Sequence, residues 1–467
     1  MPDHAIASSG DTSARASRTR TPARVPGGLP FVGHAFAFGR DPDGFIAACR
    51  ARHGDVFRVR MPGGDRIFLL DPFDYPTVFA EDRLRFQESG AEIGGRVFGY
   101  PASKVLGPIW HEFSSLTGRE MRGDALQALS EAMQVDFVRR ISEEVTDSFV
   151  ERPLLALLSE HFFAAGIEAI FGRGFYSRSL FEAYDTVDRR FAAAVAGIPP
   201  VLLPGLVRSR DELARRLLSP GPDHGNVLEA RYAFYREHGI ERELQGRLDL
   251  GLLWASQANT VATAFWTLYY LLRDEAAKNA VRDEVRSVVG EVGDPREAEP
   301  LSRDALRRLV LVDSATSEAM RLVTCPMNGR VVTEDFELPL ATGESLPLKK
   351  GEEILLYPRV MHFDREIYEE PTSFRHDRFV DERGRARQFE KGGKRLTMPL
   401  LAFGGGMSMC PGRFFARNEI KVLVASMLAW LDTELVPTSE PPLDFSRVGL
   451  GMLPPKHDVR VRIRRRR

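Results

Sequence analysis

Phe403-Gly404-Gly405-Gly406-Met407-Ser408-Met409-Cys410-Pro411-Gly412 reads as a loop built to hold one cysteine sulfur still. The thiolate, not the thiol, binds metal, and its pKa falls when backbone N–H groups and a helix N-terminus point at it. Gly404, Gly406 and Gly412 allow positive-φ turns and a close backbone approach to a ligand, and Phe403 is placed to shield the sulfur from water. A helical pattern opens immediately afterwards, from Arg413 to Trp430. A lone buried cysteine is usually inert packing, but the glycines fixed around Cys410 point to a metal ligand instead.

Outside the loop, Glu318-Ala-Met-Arg321 sets an acid and a base at i and i+3, on one helix face, where they can form a charge-assisted pair. Downstream, Pro371-Thr-Ser-Phe374-Arg-His-Asp-Arg378-Phe379 follows His362-Phe-Asp364. In this order the three segments resemble the F-G-x-G-x-x-x-C-x-G, E-x-x-R and P-x-x-F-x-x-x-R-F segments of the cytochrome P450 (haem-thiolate) family. The resemblance implies that Cys410 ligates the iron of haem b (iron protoporphyrin IX). It also implies that Phe403, Gly404, Gly406 and Gly412 shape the cofactor loop, and that Arg378 completes a structural network with Glu318 and Arg321.

A fourth segment, Leu252 to Trp266, is an apolar helical run interrupted by Ser256, Gln257, Asn259, Thr260 and Thr263. A core helix tolerates such groups when each finds a partner. By resemblance it is the long helix crossing the distal haem face, where an acid and an alcohol deliver protons. Here Asn259 stands where most members carry Asp or Glu, and an amide cannot ionise, so proton delivery is expected to lean on Thr260 and ordered water. Trp254 to Thr260, Phe191 to Pro199 and Ser446 to Pro455 are similar to the branch holding cholesterol 7α-hydroxylase, sterol 12α-hydroxylase and prostacyclin synthase. Thr260 favours the oxygen-activating hydroxylases of that branch over its isomerase.

The 467 residues exceed the usual domain size, yet no Pro/Gly/Ser linker divides them and no repeat is visible. Periodicity predicts mostly helices, including Leu244 to Arg273 and Leu306 to Leu322. Strands are predicted near Asp55–Arg60, Arg66–Leu70, Arg330–Thr333 and Asp458–Ile463. The expected fold is mainly α with a small β-sheet region (α+β), a single bilobed cytochrome P450 domain over residues 25–467 after a disordered leader, residues 1–24. The leader is rich in Ser, Thr, Ala and Arg and lacks the roughly 20 apolar residues of a membrane helix, which reads as no membrane anchor and a cytoplasmic, bacterial-type protein. Ordered chain is expected from Pro26 to Gly33 onward, and the Arg462–Arg467 tail reads as a solvated terminus. A net charge of −1 with no basic stripe argues against nucleic acid, and three widely spaced cysteines argue against a disulfide framework.

No nucleotide-binding glycine fingerprint is present, so electrons are expected from a separate ferredoxin and ferredoxin reductase. They would dock on Lys394, Arg395, Arg413, Arg417 and Lys421, which flank the cysteine loop. For the haem propionates, many members carry Arg or His two residues before the cysteine, where this chain has Ser408; a W-x-x-x-R is also missing, since Ser114 follows Trp110 at that spacing. Arg330 is the best remaining propionate ligand, with Ser408 as a neutral donor. The substrate pocket is expected to draw on Phe98, Ala255, Ala258, Thr263, Met327, Leu450 and Met452, mostly apolar or small residues that suit a steroid, terpenoid or fatty acyl molecule. The function expected is hydroxylation by a monomeric monooxygenase. The alternative is a reductant-independent isomerase or dehydratase of a hydroperoxide or endoperoxide, which Asn259 supports and Thr260 opposes.

Overall fold

In the computed structural model residues 18–466 are described, apart from residue 106 and residues 291–293. One helix, Arg242–Arg273, runs unbroken for 32 residues through the middle of the helical region. Its polar centre stays helical because the threonines bond back along the chain: Thr260 Oγ1 donates to the Ser256 carbonyl (2.9 Å), Thr263 Oγ1 to that of Asn259 (2.7 Å) and Thr267 Oγ1 to that of Thr263 (2.8 Å). The helices Leu206–Arg216, Phe163–Phe171, Val310–Val323 and Arg413–Trp430 pack around it. Leu154–Phe171 is long and apolar enough to cross a membrane, and 72% of it is buried inside the fold, so its apolar composition is that of a core segment.

The strands expected from period-2 alternation are present as Val56–Met61, Gly64–Leu69, Asn328–Val332 and Arg460–Arg465. The first three join a six-stranded sheet in the order Ala23–Arg24, Val56–Met61, Gly64–Leu69, Glu353–Leu356, Asn328–Val332, Leu84–Arg85. A three-stranded antiparallel sheet sets Arg460–Arg465 between Leu431–Leu435 and Val150–Pro153. The apolar interior divides into a large helical cluster and smaller clusters around the six-stranded sheet, so the chain is a mainly helical single domain with small sheets.

Three boundaries differ from expectation. Of the leader assigned to residues 1–24, residues 1–17 lie outside the described residues, but Ala23–Arg24 pairs in parallel with Phe57 and Arg58, and Arg20 pairs with Glu344 at 3.2 Å; the fold therefore starts before Pro26. The basic tail is the central strand of its sheet rather than a solvated terminus. Its arginines find acids on Leu431–Leu435, Arg462 with Glu434 (2.5 Å) and both Arg464 and Arg466 with Asp432 (3.0 and 3.1 Å), while Val461 and Ile463 are buried. The helix expected over Leu306–Leu322 is two, Arg303–Arg308 and Val310–Val323, broken at Leu309. The Glu284 carboxylate accepts from the N–H groups of Leu311 (2.7 Å) and Val312 (3.0 Å), capping the second helix from a distant segment that local pattern does not reveal.

Candidate haem-thiolate site

The cysteine loop is closed by one backbone bond, Cys410 N–H to the Phe403 carbonyl at 2.8 Å. Gly406 is at φ 61°, and a Cβ there would lie 2.1 Å from the Phe79 carbonyl oxygen, so no side chain fits. Gly405, beside it, is also crowded, since a Cβ there would meet the Phe79 ring at 2.6 Å. Cys410 lies just before the Arg413–Trp430 helix. Burial pushes its thiol up, and against this the N–H groups of Gly412 and Arg413 and the Arg413 guanidinium act in the opposite sense. The expected N–H donors are therefore in place, but burial outweighs them, and a metal cation held at the sulfur would favour the thiolate. Arg417 lies over the Phe403 ring at 5.4 Å.

Glu318 and Arg321 are both fully buried and form a bidentate pair at 2.7 and 2.8 Å. Arg378 Nε donates to Glu318 Oε1 at 2.8 Å. The remaining guanidinium hydrogens go to backbone carbonyls, from Arg321 to His362 (2.6 Å) and Pro371 (2.7 Å), and from Arg378 to Glu369 (2.6 Å) and Ser373 (2.9 Å). Every carbonyl acceptor belongs to the segment leading to the cysteine loop. The three side chains quoted from two separate motifs thus meet in one network that braces that segment.

Arg330 is 4% exposed and has no carboxylate partner among the described residues; it donates to the carbonyls of Gly329 (2.7 Å) and Gly405 (3.3 Å) and lies over the rings of Phe79 and Phe86. Burial pulls its pKa down to about 10. A buried cation against the cysteine loop with no anion from the polypeptide fits a haem propionate. Ser408 is exposed and makes no hydrogen bond to Arg330. Arg330→Leu is expected to act in opposite directions on the two forms of the protein: the haem-free form becomes no less stable, while haem is lost about 10- to 100-fold faster, read by transfer of haem to an apo-globin acceptor.

Asn259 Oδ1 accepts from the backbone N–H of Met452 at 2.9 Å, and Gly451, at φ 123°, has no room for a Cβ beside it. The amide expected to line the proton path is thus tied to the C-terminal turn. That turn is further stitched to the chain after the Glu318 helix by bridges Thr324↔Met452 and Pro326↔Gly449, which set Met327 beside Gly449 and hold Met452 against Asn259 of the long helix. Thr260 is 4% exposed, Thr263 is buried, Ala258 is half-buried and Ala255 is exposed. Phe98 packs against Phe191 and Trp254, which stack at 3.7 Å and 11°. Asp188, unnoticed in the sequence, accepts from Trp254 Nε1 (2.8 Å) and from Arg447 Nη2 (2.8 Å), so one carboxylate ties together three walls of the expected pocket. No sequence signal links it to Arg447, 259 positions away.

The expected docking face is only partly free. Arg417 and Lys421 share Asp313, at 2.8 and 3.5 Å, and Lys421 also donates to the Leu306 carbonyl, so this pair is largely neutralised. Arg413 instead lies over the half-exposed ring of Phe414, which Arg122 also approaches; Arg303 and Arg307 line the groove beside it and pair with the exposed Asp124 (3.7 Å) and Asp304 (3.1 Å). Lys394 and Arg395 remain exposed.

The mainly helical fold, the cysteine loop and the buried Glu318–Arg321–Arg378 network define a haem-thiolate protein. The sequence pattern of the cytochrome P450 family matches residues 247–461. The chain is 31% identical to the 7-alpha-hydroxycholest-4-en-3-one 12-alpha-hydroxylase of Homo sapiens over 96% of its length and 94% of the relative's. It is also 31% identical to the cholesterol 7-alpha-monooxygenase of Cricetulus griseus (95% and 94%) and to cytochrome P450 7B1 of Mus musculus (96% and 91%). The chain belongs to the cytochrome P450 family, as a monooxygenase whose cofactor is haem.

Proposed function

We propose that the protein hydroxylates a sterol-like apolar molecule with O2 and two electrons from a separate redox partner. The observation that carries this reading is the arrangement at the centre of the long helix. Asn259 is engaged by the C-terminal turn, and the adjacent Thr260 is buried with its hydroxyl on the polar turn of an otherwise apolar helix. The names of the sterol-hydroxylating relatives support the substrate class.

Haem bound through a cysteine thiolate supplies oxygen activation and C–H oxidation. The polypeptide's part is to hold that thiolate, to place the substrate and to manage protons. Phe403 and the Gly404–Gly406 turn would keep Cys410 fixed and shielded, and Arg330 would pair with a haem propionate. The Asp188–Arg447–Trp254 tie holds the long helix, the Arg178–Val195 helix and the C-terminal turn at fixed separation, so the flat rings of Phe98, Phe191 and Trp254 present a rigid apolar wall. Thr260 positions the water or oxygen that needs a proton. The redox partner we favour is a ferredoxin with an acidic face meeting Arg122, Arg303, Arg307 and Arg413 around Phe414, with the protein acting as a cytoplasmic monomer.

Titration of the ferric protein with steroids, terpenoids and fatty acids tests the substrate class: a saturable low-spin to high-spin shift is expected with steroids, and no shift across the panel overturns it. Thr260→Ala is expected to slow product formation by a factor on the order of 10² while NAD(P)H is still consumed and peroxide released. Unchanged coupling would remove Thr260 from the proton path. Product formed from a hydroperoxide without O2 or reductant would favour rearrangement instead.

A further inference from the structure

The Glu275–Val289 helix carries a row of cations, Lys278, Arg282 and Arg286, spaced four apart and therefore on one face. This helix packs on Arg413–Trp430, which runs directly into the strand Leu431–Leu435 and so brings the row to the three-stranded sheet. Arg464 and Arg466 reach the same place from the end of the C-terminal strand, where both bond to Asp432.

The charges here do not balance. Lys278 has Glu275 at 2.5 Å, and the single carboxylate of Asp432 serves both Arg464 (3.0 Å) and Arg466 (3.1 Å). Arg282 is half-buried and makes no hydrogen bond or ion pair among the described residues; its Nε is closed off from solvent with no acceptor. Arg466 Nη1 is in the same state, although Nε and Nη2 of that side chain are bonded to Asp432 and to the Leu431 carbonyl. Burial pulls the Arg282 pKa down, and the guanidinium groups of Arg466 and Arg286 pull the same way, ahead of the opposing pull of Asp432 and Glu275.

A solvated cation on a helix face needs no explanation, but these two N–H groups are not solvated. A donor sealed from water without an acceptor is unfavourable, and two like charges beside it add to the cost. An oxyanion removes both penalties at once. A planar carboxylate engages one guanidinium fork, whereas a tetrahedral phosphate offers oxygens in several directions and suits two arginines arriving from separate segments.

We propose that Arg282, Arg286 and Arg466 form a binding site for a phosphate group, as the free ion or as a phosphate monoester, which bridges the Glu275–Val289 helix to the end of the C-terminal strand. Arg282 Nε and Arg466 Nη1 are the buried donors, and Arg286 adds charge at the rim. Asp432 is the acid at the site; Arg464 and Arg466 match its charge, and it fixes the Arg466 fork. None of these residues takes part in the oxidation described above, so the site stands or falls separately from the substrate reading.

Titration calorimetry of the haem-loaded full chain with inorganic phosphate, in chloride of constant ionic strength, is the test, with glycerol 1-phosphate as a second probe. One saturable site per chain is expected. Tighter binding of glycerol 1-phosphate assigns a monoester such as a lipid headgroup; phosphate binding at least as tight assigns the free ion. Arg282→Met and Arg466→Met are each expected to weaken binding at least about tenfold, while Arg173→Met, at an exposed arginine paired with Asp223, leaves it unchanged. Phosphate at about 50 times its Kd should raise the thermal midpoint of the wild type by about 2 °C and not that of R282M. In phosphate-free buffer R282M should keep or exceed the wild-type midpoint, because Arg282 has like charges beside it and no bond to lose. The absence of saturable binding of either probe, or wild-type affinity in R282M, overturns the site. A fall in the R282M midpoint without phosphate overturns it too, since Arg282 would then have a partner within the polypeptide.

Discussion

Cys410→Ala is expected to give a folded protein that has lost all oxygen-dependent turnover and the long-wavelength reduced-CO band. Cys410 carries the one thiol of the loop, and a thiolate is the ligand that gives the long-wavelength band; the thioethers of Met407 and Met409 supply no such anion. The loop itself should survive, because it is held by the Cys410 N–H to Phe403 carbonyl bond and by the fit of Gly405 and Gly406 against Phe79, none of which uses the thiol. Haem that stays bound in the variant through Arg330 and the apolar walls would carry a different axial group and a shifted band. An unchanged band in Cys410→Ala would sink the thiolate assignment and every chemical step that depends on it.

Glu318→Ala is expected to have the largest effect on stability, about 3–5 kcal/mol, measured as a fall in the urea midpoint of the haem-loaded protein. The carboxylate is fully buried and accepts from Arg321 Nε and Nη2, from Arg378 Nε and from the Arg375 backbone N–H. Its removal leaves two guanidinium groups in a dry interior with only backbone carbonyls around them. An isolated E-x-x-R on a surface contributes at most about 1 kcal/mol, so a loss that small would show that the network is not the brace its geometry describes. Replacing Glu318, Arg321 and Arg378 together by apolar residues should cost less than Glu318→Ala alone, because no unpaired charge is left behind. Haem retention should fall in both cases, since the segment held by the two arginines leads into the cysteine loop.

What was legible in the sequence was local. A glycine-spaced cysteine loop, an acid and a base at i and i+3, and apolar runs with period 3.6 or 2 carry their geometry in the backbone. The helices Arg242–Arg273 and Arg413–Trp430, the strands Val56–Met61 and Gly64–Leu69 and the Cys410 turn therefore lie where spacing puts them. Local reading failed where a segment's environment came from elsewhere. A run of arginines looks solvated until Asp432 and Glu434 on a neighbouring strand neutralise it, and the leader looks disordered until residues 23 and 24 pair with Phe57 and Arg58. A helix boundary moves when Glu284 caps it from another helix, and two cations proposed for docking are spent on Asp313.

The sequence by itself carried the expectation of a metal-binding cysteine and, by resemblance, the family and the class of chemistry, because the motifs concerned are residue types at short fixed spacing. Only the tertiary structure decided what Asn259 does, since Met452 lies 193 positions away and no spacing rule connects them. The same holds for the Asp188–Arg447–Trp254 tie and for the approach of Arg282 to Arg466. A buried polar group takes its partner from whichever segment folding packs against it, and that choice is made by the burial of the whole apolar core, not by the chain on either side of the residue.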